Sequence, residues 1–162
     1  MAAPLKAGVV GVGSLGQHHA RIYSELPGSG LGGVVDADPA RAEEIAARHG
    51  AKVFADASGL AREIDLATVA TPTVAHEEAA SVLLEAGVAA LVEKPIAPDR
   101  ATGQRLVDLA RSRGVPLMIG HTERFNPVVS AVIEASSDPR FIEIHRLAPF
   151  VPRSLDVDVI LD

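Results

Sequence analysis

The 162-residue chain has no cysteine and no tryptophan. Without thiols there are no disulfides, no thiolate catalysis and no Cys-ligated zinc. Aromatic residues make up only 3% of the chain, so a core must be built from Ala, Val, Leu and Ile. Side chains that small suit close packing of helices on a sheet. No Lys/Arg cluster occurs and the formal net charge is −6, which argues against nucleic acid as a main partner. No apolar run is long enough to cross a bilayer. Met1-Ala-Ala-Pro-Leu-Lys6 leads straight into an apolar β-rich stretch, leaving no room for a signal peptide. The expectation is a soluble cytoplasmic protein. Neither Gly-x-Ser-x-Gly nor Gly-Lys-Ser/Thr is found, so hydrolase and P-loop readings lack support. The chain is 48% hydrophobic and 22% charged, as folded globular proteins are. Its length suits one domain, or one plus a fragment.

What is present is an alternation. Strand-like runs fall at 6–10, 31–35, 51–54, 65–70, 89–92 and 116–119. Helical patterns lie between them at 15–26, 39–48, 74–86 and 99–113, with a short one near 58–62. Asp38 before Pro39 and Asp99 read as N-caps, and Gly50, Gly87 and Gly114 as helix ends. The strands are continuously apolar, as strands covered on both faces are. The pattern predicts a doubly wound parallel Rossmann sheet. After Gly120 the rhythm breaks. A helix starts at Pro127 with Asn126 as its cap, Asp138-Pro139 turns, and 141–147 alternates like a strand with one wet face. The expected division is a nucleotide-binding domain over 1–121 and, over 122–162, the truncated start of a second α/β domain.

Four segments carry candidate chemistry. Gly11-Val12-Gly13-Ser14-Leu15-Gly16 follows the first strand and opens the first helix. Gly11 permits the tight turn, Gly13 lets backbone approach a pyrophosphate, and Gly16 lets helix and strand pack closely. The helix N-terminus adds N–H groups and a positive dipole end. Asp36, 20 residues past Gly16, closes the second strand where a carboxylate can accept ribose hydroxyls. It would repel a 2′-phosphate and Ala37 offers no cation, so NAD is favoured over NADP, although Arg41 lies one helical turn on. Thr71-Pro72-Thr73 ends the fourth strand at the sheet's carboxyl edge, where ligands bind. Thr73 is equally a helix cap, and His76 in that helix's first turn is equally a surface histidine. Glu93-Lys94-Pro95 ends the fifth strand. A lysine there can donate to a substrate hydroxyl and stabilise its developing oxyanion; the plainer reading is a Glu93–Lys94 contact at the sheet rim.

These segments together resemble the glucose–fructose oxidoreductase/inositol dehydrogenase/MocA superfamily, along essentially the whole chain. The resemblance implies a Rossmann domain joined to an open-sheet domain, and hydride transfer between a nicotinamide cofactor and sugar or polyol alcohols. It assigns Gly11–Gly16, Asp36, Thr71, Pro72, His76, Glu93 and Lys94 to the cofactor, and implies that Lys94 lies in the active site with a Lys94–Pro95 peptide that is commonly cis. The family's second motif is Asp-x-x-x-His. Asp162 matches its aspartate by alignment, and the proton-accepting histidine would come four residues later. The expectation is therefore the first half of an enzyme, inactive alone and homo-oligomeric in its full-length form, or alternatively a non-catalytic NAD-binding module or half of a split protein. The stretch from His121 to Pro127 resembles the branch acting on nucleotide-linked amino sugars such as UDP-N-acetylglucosamine, which implies substrate contacts for Arg124 and Asn126. Asn126 remains equally a cap, and Arg124 equally a partner of Glu123. Asp156, Asp158 and Asp162 lack a clustered His or Glu, so no metal is expected. His18 and His19 fall on different faces of the first helix and read as no chelating pair.

Overall fold

The computed structural model describes residues 3–136 and 138–145. Six strands form one fully parallel sheet: β1 (Leu5–Val10), β2 (Ser29–Val35), β3 (Lys52–Val53), β4 (Leu66–Val69), β5 (Ala89–Val92) and β6 (Leu117–Ile119). Their order is β3-β2-β1-β4-β5-β6, so the winding direction reverses between β1 and β4. The helices are α1 (Gly16–Glu25), α2 (Pro39–His49), α3 (Ala57–Ala61), α4 (His76–Glu85), α5 (Arg100–Arg113) and α6 (Pro127–Ala135).

The strands read as continuous apolar runs because both faces are covered. Val9 and Val34 point to one side, into a cluster with Ala20, Ala42 and Ile45 from α1 and α2. Val10 and Val35 point to the other, with Leu60, Leu83, Leu84 and Leu106 from α3, α4 and α5. Glycine replaces side chains where helix and sheet come closest. A Cβ on Gly8 would meet the Leu60 and Ile64 methyls at 2.8–3.1 Å.

Local signals set the helix ends. The Asp38 side chain accepts from the Ala40 and Arg41 N–H groups with Pro39 at the first position, and Gly50 closes α2 at φ 66°. Asp99 accepts from the Thr102 N–H, and Gly114 closes α5 at φ 64°. Ala75, not Thr73, stands at the N-cap position of α4. Thr73 opens a 3-10 turn (Thr73–Ala75) that runs into α4, whose first residue is His76.

Beyond β6 the packing thins. A 3-10 turn (Thr122–Phe125) leads to α6, which buries none of its residues. The strand expected over 141–147 is corrected in part. Residues 141–145 are exposed and belong to no ladder, and 146–147 lie outside the described residues. Alternating apolar residues make a strand only where a neighbour takes up the backbone N–H and C=O groups. No described strand lies alongside them. Asp162, with Asp156 and Asp158, also lies outside the described residues. Among the described residues no helix is long and apolar enough to cross a membrane, and no group of three His, Cys, Asp or Glu is placed to hold a metal ion.

Candidate dinucleotide site at the sheet's switch point

In an open parallel sheet the carboxyl ends of strands on either side of the reversal point diverge and leave a crevice. Here the loops after β1 and β4 flank it, with those after β2 and β5 beyond them. The crevice is a cleft of about 1070 Å³ whose lining includes Gly13, Asp36, Thr71, Pro72, Glu93 and Lys94. Gly11, Ser14 and Leu15 also face it. Val12 and Gly16 do not: Val12 is 1% exposed and lines a smaller hollow with Gly13, Gln17 and Arg41, and Gly16 is buried.

The glycine turn is sterically required. Gly11 has φ +85°, and a Cβ there would lie 2.8 Å from the Ala70 carbonyl carbon and oxygen. A Cβ on Gly16 would collide with the Gly11 carbonyl oxygen. Gly16 therefore lets α1 begin directly against the turn, whose Gly13 carbonyl accepts from the Gln17 N–H at 3.2 Å and whose Leu15 carbonyl accepts from the His18 N–H at 2.9 Å, leaving the positive end of the helix dipole at the turn.

Asp36 is built into this turn. Its side chain is 7% exposed. Oδ2 accepts from the Val12 N–H at 2.8 Å and Oδ1 from the Asp38 N–H at 2.9 Å. Arg41 Nη1 stands 3.8 Å from Oδ1, while its Nη2 donates to Asp38 Oδ2 at 3.2 Å. Each carboxylate oxygen keeps a second lone pair, so the group can still accept from ribose hydroxyls.

The loops after β4 and β5 are tied together by His76. The sequence left it open as a surface side chain or a cofactor contact. It is instead 1% exposed. Nδ1 lies 2.9 Å from the Pro95 carbonyl and Nε2 2.9 Å from the Thr71 carbonyl. His76 is absent from the cleft lining and acts on the backbone behind it. The Lys94–Pro95 peptide is cis, as the resemblance implies.

Glu93 ends β5 and is 7% exposed. Oε1 accepts from His19 Nε2 at 2.8 Å and Oε2 from the Lys94 N–H at 3.2 Å. Burial pushes its carboxyl up, but these two hydrogen bonds, together with the charges of His19 and Lys94, hold it below the ordinary glutamate value. Thr68, fully buried in β4, lies 3.5 Å from His19 Nδ1 and 2.8 Å from the Tyr23 hydroxyl. Sequence reasoning missed this network. Its signals were a lone threonine in the apolar run Leu66–Val69 and the i, i+4 pairing of His19 with Tyr23 on one face of α1.

Arg124 and Asn126 do not line the cleft. Asn126 caps α6, accepting from the Val128 N–H at 2.9 Å while its amide donates to Glu123 at 2.8 Å. Arg124 is exposed.

Thr71 bears on what the cleft holds. Its Oγ1 is buried without a hydrogen-bond partner. A buried hydroxyl left unpaired is costly, and one on a loop lining the cleft is suited to a polar ligand. With the turn, the helix N-terminus and the Asp36 carboxylate, it fits these residues to a dinucleotide.

Comparison with known proteins agrees. Residues 5–121 match a family model described as an oxidoreductase family with an NAD-binding Rossmann fold. The chain is 41% identical over 159 residues to a UDP-N-acetylglucosamine 3-dehydrogenase from Acidithiobacillus ferrooxidans, covering 98% of this chain and 50% of that one. The solved structure of that dehydrogenase superposes with TM-score 0.90 at 40% identity, over 99% of this chain and 53% of that one. An inositol 2-dehydrogenase from Rhizobium meliloti is 34% identical over 141 residues, covering 86% of this chain and 43% of that one. GenD2 of gentamicin A biosynthesis, solved in complex with NAD, matches with TM-score 0.80 at 31% identity, over 85% of this chain and 40% of that one. The chain thus spans about half the length, or less, of the curated relatives it matches. By the family match and these relatives, the chain belongs to the glucose–fructose oxidoreductase/inositol dehydrogenase/MocA family of oxidoreductases and carries its NAD-binding Rossmann fold.

Proposed function

We propose that the chain is the cofactor-binding part of an NAD-dependent dehydrogenase acting on the alcohol of a sugar or nucleotide sugar. The observation that carries this reading is that Lys94 lines the same cleft as the glycine turn, Asp36 and Thr71. Gly11–Gly16 and the N-terminus of α1 hold the pyrophosphate. Asp36 accepts from the adenosine ribose hydroxyls and opposes a 2′-phosphate, which favours NAD over NADP. The Thr71 hydroxyl finds its partner on the nicotinamide half, beside Pro72. Bound there, NAD supplies the hydride acceptor. Lys94 donates a hydrogen bond to the reacting oxygen and stabilises the negative charge that grows on it as its proton leaves.

The relative at 41% identity points to a nucleotide sugar as substrate. Arg124 and Asn126 are proposed as substrate contacts at the mouth of the second domain, and Asp162 as a member of the acid–base site. The division into 1–121 and 122–162 is part of the same reading, as are a homo-oligomer and a cytoplasmic location, where NAD(H) is supplied. A second reading is a non-catalytic NAD-binding module, because the glycine turn, Asp36 and Thr71 account for a dinucleotide by themselves.

Calorimetric titration with NADH and NADPH tests the cofactor assignment. NADH should bind more tightly; equal or tighter NADPH binding removes it. Oxidation of UDP-N-acetylglucosamine with NAD, or its absence, separates enzyme from module. In an active protein, Lys94→Ala should cut turnover by about 10²-fold or more while NADH affinity changes far less. Near-native turnover in that variant takes Lys94 out of the chemistry.

A further inference from the structure

We propose that His19 is a positioning residue for Lys94, locking the lysine's loop through Glu93 onto the helix whose N-terminus faces the cofactor phosphates. The proposal rests on the dinucleotide reading of the cleft.

The hydrogen-bond network is anchored at the Glu93 carboxylate. An ionised carboxylate only accepts, so His19 Nε2 carries the hydrogen in its 2.8 Å bond to Glu93. Nδ1 faces the Thr68 hydroxyl at 3.5 Å. Thr68 Oγ1 shares a further hydrogen bond with the Tyr23 hydroxyl at 2.8 Å. The chain of hydrogen bonds runs from Tyr23 on α1 to Thr68 on β4, back to His19 on α1 and out to Glu93.

Glu93 has nowhere else to go. A Cβ on Gly120 would lie 2.7–2.9 Å from its carboxyl atoms, so the end of β6 closes over it. Its second oxygen takes the Lys94 N–H. One carboxylate thus joins α1 to the backbone of Lys94, while His76 holds the Pro95 carbonyl from the other side. The arrangement explains why a buried carboxylate directly precedes the lysine. When α1 seats against the dinucleotide phosphates, the Lys94 loop is carried with it.

The titratable groups facing Glu93 are His19 from α1 and Lys94 from its own loop. Tyr23 stands beyond Thr68, and Gly120, the residue after β6, faces the carboxylate with its backbone. This short inventory makes a direct test practical. NADH and ADP-ribose, which lacks the nicotinamide, are titrated into the unmodified protein, His19→Ala and His19→Gln. Gln restores a donor towards Glu93. His19→Ala should keep ADP-ribose affinity within about twofold and lose NADH affinity at least about tenfold, the loss expected of one charge-assisted hydrogen bond. His19→Gln should recover most of it. Equal losses for both ligands, or none, overturn the proposal.

A ligand-free measurement keeps the two readings apart. By carbon-13 NMR, the Glu93 carboxyl should titrate below the ordinary glutamate range, move up in His19→Ala and return in His19→Gln. An unmoved midpoint overturns the clamp even where NADH binds. A protein that binds neither ligand but shows the shift overturns the dinucleotide reading and leaves the clamp standing.

Discussion

Replacing Asp36 with asparagine separates its structural and binding roles. The carboxylate accepts two backbone N–H groups, from Val12 at 2.8 Å and Asp38 at 2.9 Å, one on each oxygen. Asparagine offers one oxygen and one amide nitrogen. Whichever way it turns, a donor faces a donor. If the oxygen keeps Val12, the amide opposes the Asp38 N–H and the Arg41 guanidinium. If it keeps Asp38, the Val12 N–H is left unpaired in a residue that is 1% exposed. Stranding one such group costs about 1–3 kcal/mol. For a domain of this size that lowers the melting temperature by about 3–10 °C. Circular dichroism melts of the ligand-free protein read this directly. In the same samples NADH affinity should fall by about tenfold or more, and NADPH affinity less, because the charge opposing a 2′-phosphate is gone. An unchanged ligand-free melt combined with weakened NADH binding would refute the reasoning, since Asp36 would then face only the ligand and not the glycine turn.

Three further outcomes are expected. Gly16→Ala places a methyl against the Gly11 carbonyl oxygen, so it should destabilise the fold by about 1–3 kcal/mol and abolish measurable NADH binding by calorimetry. Leu83→Ala, at a fully buried position, should cost about 2–5 kcal/mol in urea denaturation, whereas Val132→Ala on exposed α6 should stay within about 0.5 kcal/mol; similar losses from both would show α6 to be part of the core. The Glu93 carboxyl, and the Asp38 and Asp99 carboxyls that cap helices, are held below their ordinary values in the folded protein. Their stabilisation is complete above the unfolded carboxylate range, near pH 4, and is lost as pH falls through the lower folded values. Urea midpoints should therefore drop between about pH 5 and pH 2, and a midpoint flat across that window would remove these groups from the acid transition.

Much of this architecture is legible in short-range pattern. A strand buried on both faces has to be apolar throughout, and Asp38-Pro39, Asp99 and Gly114 mark helix ends through contacts within three or four residues. The glycine turn and Asp36 are legible for the same reason: their spacing follows from one β-α-β unit. What stays hidden depends on distant partners. His76 looks like a surface residue at the start of a helix, because the Pro95 carbonyl that buries it comes 19 residues later. His19 and Glu93 are 74 residues apart and meet only once α1 and β5 pack onto the same sheet edge. The stretch 141–145 misleads in the opposite way: its alternation is real, but a ladder needs a neighbour that no local pattern supplies.

The strand order also dictates a sequence of events during synthesis. β1 emerges first and ends up in the middle of the sheet, paired with β2 on one side and β4 on the other. Its partner β2 follows quickly, but β4 is completed only at Val69, about sixty residues after Val10. At a ribosomal pace of about 5–20 residues per second, one apolar edge of β1 waits roughly 3–12 s for its second neighbour. During that interval the nascent chain carries an open template for pairing with other chains. Conditions that slow elongation between α2 and β4 should therefore lower the yield of folded protein without changing a single contact of the finished molecule.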